Sequence, residues 1–174
     1  MVLRRLEGAD RAELAELAQR IRGGRGDLAD LTGLAPHELE GVYARACAWL
    51  RADLVDRAVR ALKALALLRP SENRYLRTLA LGYQRQGRLS QAVLALDLVL
   101  RRDPEDSIAR LVRAECVIAQ SGAQEGLDDL SDALLAAQDN DDATVKPFVE
   151  RAARIGHFLG VGRNEVRSGG VQRA

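Results

Sequence analysis

The sequence predicts an all-α fold of repeated helix pairs, and two observations support this prediction. The first is composition: of 174 residues 47% are hydrophobic, yet only six are aromatic, so the apolar content falls on Leu, Ala and Val. That balance favours helix over sheet. The second is an internal repeat at a constant offset. A chain of this length can bury a continuous core as one domain without disulfides or a metal.

The internal repeat has a period of 34 residues. Two similar segments end on Pro70 and Pro104, and four further pairs keep this offset: Ala46 with Ala80, Trp49 with Tyr83, Ala58 with Ala92, and Leu62 with Leu96. A 34-residue period is typical of the tetratricopeptide repeat, a helix-turn-helix unit. We expect the alanines where the helices of a unit cross, Gly87 in a turn that needs positive φ, and the prolines after the second helices.

A third, more divergent repeat is predicted from about Ser107 to Ala137. Its turn glycine, Gly122, comes one residue late in the register of the first two repeats. Leu127 replaces the second small residue, and Arg110 and Arg113 occupy positions that are normally apolar. The sequence thus predicts a tetratricopeptide-repeat superhelix of three helix-turn-helix repeats with flanking N- and C-terminal helices.

The regions outside the repeats are predicted to be helical or flexible. The expected divisions are an N-terminal helical segment at 1–38, repeats at 39–72, 73–106 and 107–138, a C-terminal helix at 139–159, and a flexible tail at 160–174. Asp141 or Asp142 is expected to cap the C-terminal helix. An N-terminal apolar stripe of Leu14, Leu17 and Ile21 predicts a homodimer contact, with packing onto the first repeat as the alternative.

Charge and motif content argue against several classes of function. The formal net charge of +1 gives no global attraction to nucleic acid or to a membrane surface. His37 and His157 form no ligand pair at metal-site spacing, and we find no phosphate-binding loop. We therefore expect no enzyme activity, no metal and no cofactor, although an enzyme with an unrecognised site stays open. Cys47 and Cys116, too few for a disulfide framework, favour a reducing, cytoplasmic location.

The predicted functional surface is the concave wall of the superhelix, which the first helix of each repeat forms and which can bind a peptide. Three inward positions are assigned in each repeat: Tyr43, Cys47 and Leu50; Arg77, Leu81 and Gln84; Leu111, Glu115 and Ile118. The apolar members suit client side chains, and the polar members suit a peptide backbone. Alternatively, some of them pack against the terminal helices.

Residues 21–46 resemble the N-terminal segment of the class II chaperones of bacterial type III secretion. The segment reads IRGGRGDLADLTGLAPHELEGVYARA: a helix, a Gly-Gly break, a short leucine turn and an LExLY-type start to the first repeat. Here that start is Leu39, Glu40, Val42 and Tyr43, and the triplet Ala114-Glu115-Cys116 is also similar to the family. With the three repeats, the resemblance covers roughly residues 11 to 158.

The resemblance implies a cytoplasmic chaperone that binds hydrophobic translocator proteins and keeps them soluble and export-competent. Such chaperones hold a short segment containing Pro and Leu in the concave groove, and they often dimerise through N-terminal helices. A general tetratricopeptide scaffold or adaptor in a protein complex is the alternative. A scaffold that clamps a peptide carboxylate is disfavoured, because Cys47 and Leu81 stand where asparagine is needed.

Overall fold

The computed structural model describes residues 15, 16, 19, 27–137 and 142–159. Within this part of the chain all regular structure is helical, which confirms the predicted fold class. A four-residue turn of helix is followed by seven longer helices: α1 Ala29–Thr32, α2 Pro36–Arg51, α3 Val55–Leu68, α4 Asn73–Arg85, α5 Leu89–Leu100, α6 Ser107–Ser121, α7 Ala123–Ala137 and α8 Lys146–Leu159.

The chain divides into two compact units, with the boundary inside α4. Unit 1 extends to Gly82 and unit 2 begins at Tyr83. The helices α2 and α3, α4 and α5, and α6 and α7 are three consecutive pairs in chain order. The finer division of the chain into segments and repeats remains a prediction.

Turns with positive φ end the first helix of each pair. Gly87, with φ of 71°, confirms the predicted turn, and Gly122 has φ of 92°. The first pair has Asp53 instead, at φ of 58°, 34 positions before Gly87. Both turns close with the same backbone bond, from Leu54 N to Trp49 O at 2.8 Å and from Arg88 N to Tyr83 O at 2.9 Å. The period therefore fixes backbone conformation even where the glycine is missing.

Small residues lie at the helix crossings of unit 1, as predicted. Ala46 of α2 and Ala58 of α3 have no exposed surface. Gly82 of α4 is equally constrained, because a Cβ atom there would lie 2.7 Å from Cγ2 of Val59. The larger core side chains around these contacts include Leu39, Leu62, Leu65 and Tyr75. Close approach of the helices thus follows from residues with little or no side chain.

In unit 2 the helix crossing of the third pair corrects one prediction. The small residue at this crossing is Gly126, which is buried. Leu127, which the sequence analysis placed there, is half-buried. A Cβ atom on Gly126 would lie 2.8 Å from the backbone nitrogen of Ile118. Gly126 stands 34 positions after Ala92, so the repeat keeps its period and only the turn glycine is shifted. The prediction was wrong by one residue because it followed Gly122, which lies 35 and not 34 residues after Gly87.

The arginines that break the apolar pattern of the third repeat are paired with acids. Arg113 donates from Nε to Asp97 Oδ1 at 2.7 Å and also pairs with Asp129. Arg110 pairs with Glu105 at 2.8 Å. Together the two arginines join α6 to the loop before it and to α5 and α7. Unit 2 therefore uses ion pairs at positions where the second repeat has Leu76 and Leu79.

The last helix is introduced by a turn at Asp142. Its Oδ1 accepts from the backbone nitrogen and the hydroxyl of Thr144, each at 2.8 Å. Val145, Ala152 and Gly156 are buried and form the packed side of α8. The predicted flexible tail and the alternative cap Asp141 lie outside the described residues.

Candidate peptide-binding surfaces

In unit 1, Tyr43 of α2 is fixed by side chains of α4. Its hydroxyl is 2.9 Å from Oγ1 of Thr78, and its ring centroid is 5.2 Å from that of the buried Tyr75. Tyr43 itself is half-buried. The hydrogen bond and the ring contact hold one side of this aromatic ring, so the other part of the ring is presented in a single orientation.

Arg74 covers the two tyrosines and was missed in the sequence interpretation. Its guanidinium carbon lies 5.1 Å from the ring centroid of Tyr43 and 5.3 Å from that of Tyr75. Glu40 of α2 holds the guanidinium by an ion pair of 2.7 Å. A usable signal was present, because Arg74 precedes the predicted Arg77 by three residues and so shares its helix face.

Two further predicted residues lie close to Tyr43. Burial raises the pKa of the Tyr43 phenol, and the hydrogen bond with Thr78 opposes this increase. The neighbouring Cys47 raises the pKa further, while the charge of Arg77 lowers it. Cys47 and Leu81 are half-buried, whereas Leu50 is 7% exposed and belongs to the core. We call Tyr43, Cys47, Arg77 and Leu81 the unit-1 surface. Tyr43, Cys47 and Arg77 are thus brought together, and Leu81 follows Arg77 by one helical turn on α4.

In unit 2, the predicted residue Glu115 is a buried carboxylate with its partners in place. Its side chain is 4% exposed. Arg151 of α8 donates from Nε to Oε1 at 2.7 Å and from Nη2 to Oε2 at 2.5 Å. Gln84 donates to Oε2 at 3.0 Å. Glu115 therefore joins α4, α6 and α8 and attaches the last helix to unit 2. This agrees with the alternative prediction that some of the inward residues pack against the terminal helices.

The remaining predicted positions of unit 2 differ in exposure. Leu111 has no exposed surface and lies in the core, so it offers no area to a peptide. Ile118 is half-buried and borders the crossing with Gly126. We call Gln84, Glu115 and Arg151 the unit-2 ladder. Arg151 was missed, because the sequence interpretation assigned the wall to the repeats alone.

A polar cavity of about 290 Å³ also occurs in unit 2. It is lined by Leu100, Arg110, Arg113, Asp129, Asp132 and Ala133. Its two arginines are held by the ion pairs already described, which stabilise the helix packing. Among the described residues no group of three or more His, Cys, Asp or Glu side chains is arranged to hold a metal ion.

The predicted dimer contact cannot be placed, since Leu14, Leu17 and Ile21 lie outside the described residues. In the described part of the chain, no helix is both long and apolar enough to span a bilayer.

Comparison with known proteins finds similarity at the level of structure. No family model and no curated protein matches the sequence. The translocator chaperone SycD of Yersinia enterocolitica aligns at a TM-score of 0.67 and 19% identity, over 76% of this chain and 98% of that chain. A structure of SycD with a peptide of the translocator YopD aligns at 0.61 and 17%, over 76% and 99%.

Two other structures show how widely the architecture is shared. A chain of a type III secretion complex from Aeromonas hydrophila aligns at a TM-score of 0.72 and 19% identity, covering 86% of this chain and 98% of that chain. The Sgt2 domain from Aspergillus fumigatus aligns at 0.58 and 16%, covering 80% and 91%. The chain therefore has the tetratricopeptide-repeat fold, which the translocator chaperone SycD and the Sgt2 domain share.

Proposed function

We propose that this protein is a cytoplasmic chaperone that binds hydrophobic translocator proteins of a type III secretion system and keeps them soluble and export-competent. The observation that carries the proposal is the likeness, over 76% of the chain, to a translocator chaperone crystallised with a translocator peptide. The resemblance of residues 21–46 to class II chaperones supports it independently.

The unit-1 surface has the chemistry that such a client needs. A pore-forming protein exposes apolar segments that aggregate in water unless another surface covers them. Tyr43 and Leu81 offer apolar area to a leucine or proline side chain, while Arg77 offers donors to a peptide carbonyl. Because Tyr43 is already fixed by Thr78 and Tyr75, little of its rotamer freedom is lost when a client binds.

Co-expression with a candidate client tests this function. The candidates are proteins with long apolar segments encoded beside this gene. The wild-type chain should keep such a protein soluble and co-purify with it. Tyr43→Ala and Leu81→Ala should each weaken binding by about 1–3 kcal/mol, as is typical of truncated hot spots. Arg60→Ala and Gln91→Ala, on exposed positions of α3 and α5, are the matched controls and should bind as wild type does.

Thermal melts of each variant separate lost binding from lost folding. If the folded Tyr43 and Leu81 variants retain the client as well as the controls do, the unit-1 surface is not the binding site. If the wild-type chain retains none of the apolar proteins but binds a soluble partner, the chain is a general scaffold and the chaperone proposal fails.

We also propose homodimerisation through the N-terminal stripe of Leu14, Leu17 and Ile21. Its test is the mass by light scattering of the full chain and of a chain lacking residues 1–22. A dimer that becomes a monomer on truncation supports the contact. A full-length monomer contradicts it.

A further inference from the structure

The cavity of unit 2 lies where the third repeat replaces apolar residues by charged ones. Four of its lining residues are charged, and each stands 34 positions after an apolar residue of the second repeat: Arg110 after Leu76, Arg113 after Leu79, Asp129 after Ala95 and Asp132 after Leu98. Three of these apolar residues are buried, and Leu98 is 40% exposed. The change from apolar to charged side chains at four repeat positions therefore coincides with a cavity of about 290 Å³.

The charged residues contribute less to the stability of the fold than the apolar residues that they replace. The ion pairs of Arg110 and Arg113 join side chains that are 30% to 81% exposed. Ion pairs at such exposure contribute little, because water already solvates both partners, whereas a buried leucine is stabilised by its removal from water. Residues that break a local packing pattern without a matching gain in stability are typical of a functional site.

The charges around the cavity leave an excess of carboxylate. Arg113 pairs with two acids and Arg110 with one. Asp132 is exposed and makes no hydrogen bond or ion pair within the described part of the chain. The acids that line the cavity or pair with its two arginines are Asp97, Glu105, Asp129 and Asp132. The helix α7, which provides two of them, contains no basic residue. The cavity therefore attracts a cation and repels an anion.

We propose that this cavity binds the side chain of a lysine or arginine from a polypeptide partner. The Asp132 carboxylate accepts hydrogen bonds from the ammonium or guanidinium group, and the apolar wall of Leu100 and Ala133 contacts the methylene groups of the same side chain. The cavity volume is at the lower end of the range for ligand pockets, so it fits one side chain and not a folded segment. The site goes beyond the proposed function, because it requires no translocator client.

Three tripeptide amides test this site with the full-length chain. They have the acetylated sequence Ala-Xaa-Ala, with lysine, norleucine or glutamate at the centre, and the amide shifts of α7 in two-dimensional NMR measure their binding. The lysine peptide should bind with a dissociation constant on the order of millimolar, and the other two about tenfold more weakly, because neither offers a charge-assisted hydrogen bond to Asp132. Equal binding of the norleucine peptide, tighter binding of the glutamate peptide, or no shifts with the lysine peptide would each contradict the proposal.

Substitutions on α7 locate the binding group. Asp132→Asn should weaken the lysine peptide about tenfold while the melting temperature stays that of the wild type, because this carboxylate holds no other described residue. Asp132→Leu, which introduces the residue of the second repeat, should weaken it at least as much. Asp128→Asn is the matched control, since it removes the same charge from an exposed position of α7 that does not line the cavity.

The outcomes at Asp132 and Asp128 decide between a site and a diffuse charge effect. Equal weakening by Asp132→Asn and Asp128→Asn would show that only the net charge of α7 matters and would overturn the site, as would unchanged binding in Asp132→Asn. The probes contain no client sequence, so their failure leaves the chaperone proposal standing. Failure of the co-expression experiment likewise leaves this site standing.

Discussion

The two units use equivalent repeat positions in opposite ways. Cys47, Leu81 and Glu115 follow one another at intervals of 34 residues. In unit 1 the first two are half-buried, and Cys47 lies close to the fixed Tyr43. In unit 2 Glu115 is buried and doubly bonded to Arg151. The same repeat position is therefore half-buried in the first two repeats, where we propose the binding surface, and is a structural attachment in the third.

This difference shows that the repeat period determines the position of a side chain. The helix packed against that position determines whether the side chain is buried and which partner it bonds. Glu115 meets α8, whose Arg151 neutralises it. Tyr43 meets α4, where Thr78 fixes its hydroxyl and Arg74 lies over its ring, and the side chain stays half-buried. Substitutions that remove one partner at a time distinguish these two roles.

The largest effect is expected for Arg151→Met. It leaves the Glu115 carboxylate buried with only Gln84 as a donor, so the free energy of unfolding should fall by about 3 kcal/mol. The double variant with Glu115→Gln should lose less, since no charge stays buried, and the exposed control Arg154→Met should change it by less than about 0.5 kcal/mol. Urea denaturation measures all three. A loss below about 1 kcal/mol for Arg151→Met would mean that unit 2 does not depend on the ladder.

A smaller effect on the free energy of unfolding, of opposite sign, is expected for alanine substitutions at two helical glycines. Gly126→Ala should destabilise by about 1–3 kcal/mol, because the new methyl group meets the backbone of Ile118. Gly41→Ala on α2 meets nothing within 4 Å and should stabilise by about 0.5–1 kcal/mol through helix propensity. Thermal or urea unfolding measures whether each variant is less or more stable than the wild type. Equal changes at the two positions would contradict the 34-residue register of the third repeat.

A still smaller effect concerns the turns. Asp53 adopts positive φ where Gly87 does so without cost, so Asp53→Gly should stabilise by about 0.5 kcal/mol and Gly87→Asp should destabilise by about as much. Denaturant midpoints measure the pair. The same sign for both changes would show that backbone conformation does not limit these turns.

The last effect is a pH dependence at Cys116, which is absent at neutral pH and develops only above about pH 9. Burial, followed by the charge of Glu115, raises the pKa of this thiol from 9.0 to about 11. The folded state therefore keeps the proton that the unfolded state loses, and this contribution to stability is complete below pH 9 and is lost as the pH rises toward 11. Stability curves of wild type and Cys116→Ala should converge over that range. Parallel curves would contradict the raised pKa.

Much of the fold could be predicted from the sequence, because small residues, turn glycines and prolines act locally. Ala58, Gly87 and the helical pairs are such cases. The register at Gly126 was predicted wrongly, since a turn glycine can shift by one residue while the helix crossing cannot. The roles of Glu115 and Arg151 depend on a contact between distant helices, and no local pattern identifies which acid pairs with which arginine.

The central claim is that a client occupies the unit-1 surface, and the alkylation of Cys47 tests it most directly. This thiol is half-buried beside Tyr43, whereas Cys116 is fully buried and serves as the internal reference. With iodoacetamide at neutral pH, the free chain should be modified at Cys47, and the client complex should be modified there about tenfold more slowly, as a covered interface position is. Equal rates of Cys47 modification in the free chain and in a saturated complex would contradict the account.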